Sequence, residues 1–515
     1  MDFKLTIGGE AVSTPTTFDV LNPADESFVA ACPQGTVELI DAAVAAARRA
    51  LPAWSATSDA DRIGKLNAIA ALIEEHHREL SQLITREQGK PQSGPGANLE
   101  VETAAAWTRV AAGLSIPEET IQDDRSGRIV LRRKPVGVVG SITPWSWPLL
   151  LAVCHTMPAI RVGCTVVMKP SPFTPLSTLR LVELMNQVLP AGVINVVTGA
   201  AKLGIHLVNH PHVDKIAFAG SIATGKQIMG GAARTLKRVT LRLGGNDAGI
   251  VLPHTRIEPL LEKLFWGCFI NAGQTYAALK RLYVHEDQYE EVVEKFADYV
   301  ARIPVGNGLD PKSLIGPVSN EKQLNWVVAL VNDARLNGAR IVTGGKRPKA
   351  RGYFYPLTVI ANATDDMRVV KHERLGPVIP ILKYKTVHEA IVRANSLALG
   401  LGGSVWGDDP QEAARYAGQL ECETAWVNQH GALHSFAPFS GVKSSDIGAR
   451  FKIDGLKEFT TVQVIDIALQ NGSSDTGDNI RQIDKYRTST RPASTSKDTW
   501  RSVDLPDRGA STKET

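Results

Sequence analysis

Nowhere does the 515-residue chain string together the ~18 apolar residues that a membrane-spanning helix needs. The opening "MDFKLTIGGEAVSTPTTFDVLNP" lacks an apolar h-region, so no secretory signal and a cytoplasmic location are expected. Cysteine is sparse: Cys32, Cys154, Cys164, Cys268 and Cys422 are odd in number, scattered, and without C-x-x-C or histidine spacing. That pattern argues against a disulfide framework and a structural zinc site, so no metal is expected and the thiols read as small buried hydrophobes. Charge of one sign is lacking too. A net charge of +4 with 21% charged residues gives no field for nucleic acid or a membrane surface, and neither is expected as a partner. No repeat of fixed period is present, which excludes a solenoid.

What is present is length and a 43% hydrophobic composition, enough for two or three packed units with sizeable cores. Residues 37–85 place apolar positions at helical spacing, as in "VELIDAAVAAARRALPAW" and "DRIGKLNAIAALIEEHHRELSQLI". From about 128, short β-rich runs such as "GRIVLRRKPVGVVGSIT", "GCTVVMKP", "GVINVVTG" and "KIAFAG" alternate with helical stretches. That rhythm predicts βαβ units around a parallel sheet covered on both faces. A second α/β stretch runs from about 243 to 450. Beyond 470, Ser, Thr, Asp, Arg and Gly dominate, and a disordered tail over 470–515 is expected.

Taken alone, "AFAGSIATGK" is a weak signal: a Gly-containing turn between a strand and a helix, whose N–H groups and positive helix end suit a phosphate. It does not stand alone. "VGVVGSITPWSWP", "VVMKPSPFTPLS", "INVVTG", "KIAFAGSIATGK", "LRLGGNDAGIV", "NAGQTYAALKRLYVHE", "HERLGPV" and "PFSGVKSSDIG" follow in the order and spacing of the aldehyde dehydrogenase superfamily, which the chain resembles over roughly residues 3–468.

The resemblance implies an α/β fold with a Rossmann-type NAD(P)-binding domain over 1–116 and 136–241 and a catalytic-like domain over 242–455. It also implies a small oligomerisation hairpin and strand over 117–135 and 456–469, in a homodimer or homotetramer acting on a small carbonyl compound. In that family a cysteine thiolate attacks the aldehyde, an asparagine amide holds the oxyanion and a glutamate activates water. Carried over by motif, these positions fall on Tyr276 in "GQTY", Ser146 in "PWSWP" and Arg242 in "RLGG". The cofactor positions fall on Thr143 and Trp145 at a strand end, Lys169 for the adenine ribose, Gly220 and Ser221 for the pyrophosphate, and Glu373 for the nicotinamide ribose. NAD or NADP is therefore the cofactor the resemblance implies.

Departures extend further. Pro172 stands where many NAD-using members carry a ribose-binding glutamate, Ala219 and Leu375 replace a threonine and a phenylalanine, and near the C-terminus Ser440 and Asp446 replace glycines and Arg450 an acid. The resemblance places the Arg242 guanidinium beside the Tyr276 phenol and the Ser146 hydroxyl, where a cation would lower the phenol's pKa toward acid–base use. Three readings follow: a repurposed carbonyl enzyme without thioester chemistry, a noncatalytic scaffold whose Tyr276 merely fills the pocket, and an aldehyde dehydrogenase of atypical mechanism. The repurposed enzyme is the leading one, by isomerisation, dehydration, cyclisation or NAD(P)H-dependent carbonyl reduction. Cys268 reads as core packing, His430 and His434 as loop histidines bordering the substrate tunnel, and Trp147 as its wall.

Overall fold

The computed structural model describes residues 2–125 and 127–468; the tail expected from 470 lies outside the described residues. Thr36 caps the first helix, Val37–Ser55, and Ser58 caps the next, Asp59–Glu75, each side chain accepting an N–H of the first turn. The first helix buries Ile40, Ala43, Val44 and Ala47, the i, i+3, i+4, i+7 stripe that its sequence spacing predicts.

One sheet has eight strands. Its middle consists of Ile194–Val196, Thr165–Lys169, Val138–Ile142, Lys215–Ala219 and Arg238–Arg242, side by side in that order and all parallel. In chain order this is 3-2-1-4-5, the doubly wound arrangement whose direction of winding reverses between Val138–Ile142 and Lys215–Ala219. The strands are buried almost end to end because helices cover both faces, so they read as unbroken Val/Ile/Ala runs rather than as alternation. The pairings Ile142↔Lys169, Ile142↔Phe218 and Ala219↔Arg242 bring Lys169, Arg242 and the residues after Ile142 and Ala219 to one carboxyl edge. Outside Arg238–Arg242 lies a two-residue antiparallel strand, Asp446–Ile447, with Arg242 directly opposite Asp446.

A second, seven-stranded sheet runs Arg340–Thr343, Thr358–Ala361, Val378–Tyr384, Leu279–His285, Asp247–Val251, Gly402–Trp406 and Thr424–Val427, parallel apart from its first pair. Both sheets belong to one compact unit, Met1–Glu119 with Leu131–Val464. A small second unit takes Thr120–Val130 and the described residues from Ile465. The strands Thr460–Ala468, Gly127–Pro135 and Glu119–Asp124 form a three-stranded sheet in that order. Among the described residues no helix is long and apolar enough to cross a membrane.

Candidate active site

The carboxyl edge of the first sheet collects polar groups that lack partners. Thr143 begins the loop after Val138–Ile142, and its hydroxyl is buried without a hydrogen bond. Trp145 follows, its carbonyl accepting from the Thr174 hydroxyl at 3.5 Å. Lys169 closes its strand at 5% exposure; among the described residues its ammonium has no ion pair, and burial pushes its pKa down to about 8. Gly220 leads out of Lys215–Ala219, and Ser221 caps the helix Ile222–Ala233 by accepting the Thr224 N–H at 3.2 Å. A 12-residue helix therefore turns its positive end toward the same edge.

Tyr276 comes from a different place, the turn before strand Leu279–His285. Asn271, Ala272 and Gly273 are all left-handed, at φ 53°, 55° and 69°. The two non-glycine residues cost about 1–2 kcal/mol each, which the surroundings must offset. They do so with hydrogen bonds. The Asn271 amide donates to the Ser146 carbonyl at 2.8 Å, Lys280 Nζ to the Gly273 carbonyl at 2.5 Å, and Gln274 Nε2 to the Asn271 and Pro317 carbonyls at 3.0 and 3.2 Å. A Cβ on Gly273 would stand 2.3 Å from the Gly376 carbonyl oxygen, so the turn admits only glycine there.

The Ser146–Trp147 turn is fixed just as firmly. Lys90 Nζ donates to the Ser146 carbonyl at 3.0 Å, lies 3.5 Å over the Trp147 ring and pairs with Glu100 at 2.5 Å, with both charged side chains fully buried. Glu100 also accepts the Leu149 and Leu150 N–H groups at 3.0 and 3.1 Å, satisfying the first turn of Pro148–Arg161. Trp147 Nε1 then donates to the Thr275 hydroxyl at 3.0 Å, so the two turns hold each other.

Tyr276 sits in the wall of a cleft whose empty volume is about 1610 Å³, open mouth included, lined also by Trp107, Trp147, Trp266, Ile270, His430 and Arg450. The expected Arg242–Tyr276–Ser146 trio is not what forms. The Arg242 guanidinium instead bonds the carboxylate of Asp446, its cross-strand neighbour, together with the Gly448 carbonyl at 3.1 Å and the Ser440 hydroxyl at 3.4 Å. The cation on the phenol is Arg450, whose Nη1 donates to the Tyr276 hydroxyl at 2.7 Å. The expected fall in the phenol's pKa is also overturned. Burial pushes Tyr276 above its ordinary value, and Arg450 and Arg242 offset this only in part. The phenol is thus a neutral O–H near pH 7, a donor rather than a base.

A profile of the aldehyde dehydrogenase family matches residues 11–465. The chain belongs to the aldehyde dehydrogenase family. It is 39% identical over 474 residues to an aldehyde dehydrogenase of Enchytraeus buchholzi, covering 90% of this chain and 95% of that one. It is 37% identical over 484 residues to the phenylacetaldehyde dehydrogenase of Pseudomonas fluorescens, covering 90% and 96%. Among solved structures, betaine aldehyde dehydrogenase of Staphylococcus aureus in complex with NAD+ superposes with a TM-score of 0.89 at 33% identity, covering 92% of this chain and 97% of that one.

For this aldehyde dehydrogenase family member, the test of a dinucleotide is whether the free polar groups fit one. The orphan Thr143 hydroxyl, the unpaired Lys169 ammonium and the Ser221 helix end all lie at the carboxyl edge around the winding reversal, where doubly wound sheets take dinucleotides, and they supply the donors that ribose hydroxyls and phosphates accept from. The residues fit. Glu373 is turned onto the Gly244–Gly245 backbone, accepting the Gly245 N–H at 3.2 Å, and a Cβ at Gly244 would lie 2.2 Å from that carboxylate. Burial raises the Glu373 pKa and lowers that of nearby Lys280, each opposing the other's shift.

The remaining predicted residues separate cleanly. Cys268 lies on Leu261–Phe269 in the core beneath the second sheet, its thiol pushed up by burial. His430 borders the cleft but is held by the Ser404 hydroxyl at 3.0 Å and stands 3.5 Å from Asp247, while His434 stacks on Phe436. Arg450, Asp446 and Ser440 join the Tyr276 and Arg242 side chains here, although the motifs marked them only as departures. The signal was their clustering in "PFSGVKSSDIGAR", the run with the most departures.

Proposed function

We propose that this protein acts on a small carbonyl metabolite without a thioester intermediate, with the Tyr276 hydroxyl giving a proton to the carbonyl oxygen. The observation that carries this reading is the Arg450–Tyr276 hydrogen bond in the cleft wall. Arg450 donates into the phenol oxygen, so the phenol's own hydrogen is free to point at a substrate, and the adjacent cation favours loss of that proton as charge develops. None of the five cysteines is among the residues lining this cleft, and burial raises all of their pKa values, which leaves no thiolate for the family's usual covalent step.

Thr143, Trp145, Lys169, Gly220, Ser221 and Glu373 are the residues that would hold NAD or NADP. A reduced nicotinamide bound there would supply hydride for carbonyl reduction. Isomerisation, dehydration and cyclisation ask for the same proton at the same oxygen. Ser146 positions the Tyr276 turn through its carbonyl, which accepts from Asn271, and Arg242 fastens the loop that carries Arg450. The domain division at 116, 136, 242 and 456 remains our reading. So does a homodimer or homotetramer, supported by Val462, Val464 and Ile467, which are 49%, 57% and 45% exposed along the strand Thr460–Ala468.

The test is Tyr276→Phe assayed with a panel of carbonyl metabolites, with and without NAD(P)H. Losing a general acid costs about 10²–10⁴-fold in kcat. Turnover unchanged by the substitution would refute the role, and an acyl-enzyme thioester trapped during aldehyde turnover would restore the family's own chemistry.

A further inference from the structure

The guanidinium of Arg450 is only half used. The residue is 6% exposed, Nη1 donates to the Tyr276 hydroxyl at 2.7 Å, and Nη2 is buried with no hydrogen-bond partner. Its central carbon lies 5.6–5.7 Å from the ring centroids of Tyr276, Phe439 and Phe451, so three aromatic faces enclose it. Among the described residues no carboxylate lies within ion-pair distance of Arg450. Asp446, which acts on Arg450 electrostatically, gives its hydrogen bond to Arg242. Arginine does not discharge by losing a proton, and rings alone do not replace a counter-ion for a cation taken out of water. Yet this cation stands in the wall of the open cleft, beside the phenol.

We infer that Arg450 is an anion receptor and that the substrate is a carbonyl compound carrying a carboxylate next to the carbonyl, a 2-oxo acid. This rests on the acid–base reading of Tyr276. One carboxylate oxygen accepts from the spare Nη2, and the neighbouring carbonyl oxygen accepts from the Tyr276 O–H. Because a single hydrogen bond joins the two donors, they suit two oxygens set close together on one substrate, as the carboxylate and carbonyl oxygens on the adjacent carbons of a 2-oxo acid are. The rest of the substrate then lies along Trp147, Trp266 and Ile270, which suits an apolar side chain. Glu262 and Lys263, of opposite sign, also border the cleft and add no net charge to it.

The experiment is a binding comparison on the full chain, read by quenching of the cleft tryptophans and by calorimetry. The probes are 4-methyl-2-oxopentanoate and its methyl ester, which share shape and carbonyl and differ in charge. Wild-type protein is expected to hold the acid about 10- to 100-fold more tightly than the ester, the worth of one charge-assisted hydrogen bond. Arg450→Met should abolish the preference while leaving ester affinity in place, and Arg450→Lys should keep part of it. Equal affinity of the wild type for acid and ester overturns the inference without recourse to any variant, as does a preference that survives Arg450→Met. If acid and ester bind alike while Tyr276→Phe still abolishes turnover, only the receptor assignment fails. If the acid binds through Arg450 while Tyr276→Phe remains fully active, only the acid–base reading fails.

Discussion

Removing Arg242 isolates the electrostatics of the loop that carries Arg450. Arg242→Met leaves the Asp446 carboxyl, 1% exposed in its side chain, without its guanidinium. Even with Arg242 in place, burial pushes Asp446 up to about 6 from an ordinary 3.8, with Arg242 the main opposing influence. A carboxyl raised by folding binds more protons folded than unfolded, so its contribution to stability falls as pH rises from the unfolded pKa to the folded one and is flat above. In the wild type that decline fades as pH passes through about 6. In Arg242→Met the folded pKa climbs further, so the decline continues at about 1.4 kcal/mol per pH unit. The gap between variant and wild type should therefore be smallest at pH 5 to 6 and widen above pH 6, by at most about 1.4 kcal/mol per pH unit while the variant's carboxyl stays protonated. With an unfolding entropy near 1 kcal/mol/K for a chain this long, that is a widening of at most roughly 1.3 °C in Tm per pH unit. Differential scanning fluorimetry of both proteins at pH 6, 7 and 8 reads it. A pH-independent cost from the lost Ser440 and Gly448 contacts lies underneath, and Arg242→Met/Asp446→Leu should show only that part. A gap that stays constant or narrows from pH 6 to pH 8 would refute a buried charge pair at this position.

Two further outcomes check the site. Dinucleotide affinity should be full below pH 8 and fall as Lys169 loses its proton, because burial sets that ammonium at about 8; titration by calorimetry should find Lys169→Met about 10- to 100-fold weaker and flat with pH. Iodoacetamide at neutral pH should leave turnover intact with little labelling by mass spectrometry, since Cys32, Cys164 and Cys268 are buried and Cys154 and Cys422 partly so. Rapid inactivation tracking one labelled cysteine would contradict the thiol-independent reading.

How much of this was legible in the sequence depends on distance along the chain. The helices near 37–85 follow from spacing and caps within one or two turns, and the parallel strands from short Val/Ile runs that only a doubly covered sheet requires. The rewritten position at Tyr276 was legible because its flanking motif is contiguous. The identity of its cation was not. Arg242 and Arg450 both act on the phenol electrostatically, but Asp446, 204 residues from Arg242, occupies Arg242, while Arg450 bonds a phenol 174 residues away. No local pattern encodes such a contact. For the same reason Ser440 and Asp446 read as disturbed turns, although they supply the hydroxyl and the carboxylate that bond Arg242.

The two-residue strand Asp446–Ile447 has a consequence for biogenesis. Until it docks, Arg238–Arg242 is the bare margin of a parallel sheet whose other strands are complete, with backbone donors and acceptors open to any passing strand. The residues that close it are translated about 200 positions later, and at about 5–20 residues per second the nascent chain carries that margin for roughly 10–40 s. A ribosome-bound chain halted before Asp446 should therefore be the stage at which this protein most needs a chaperone.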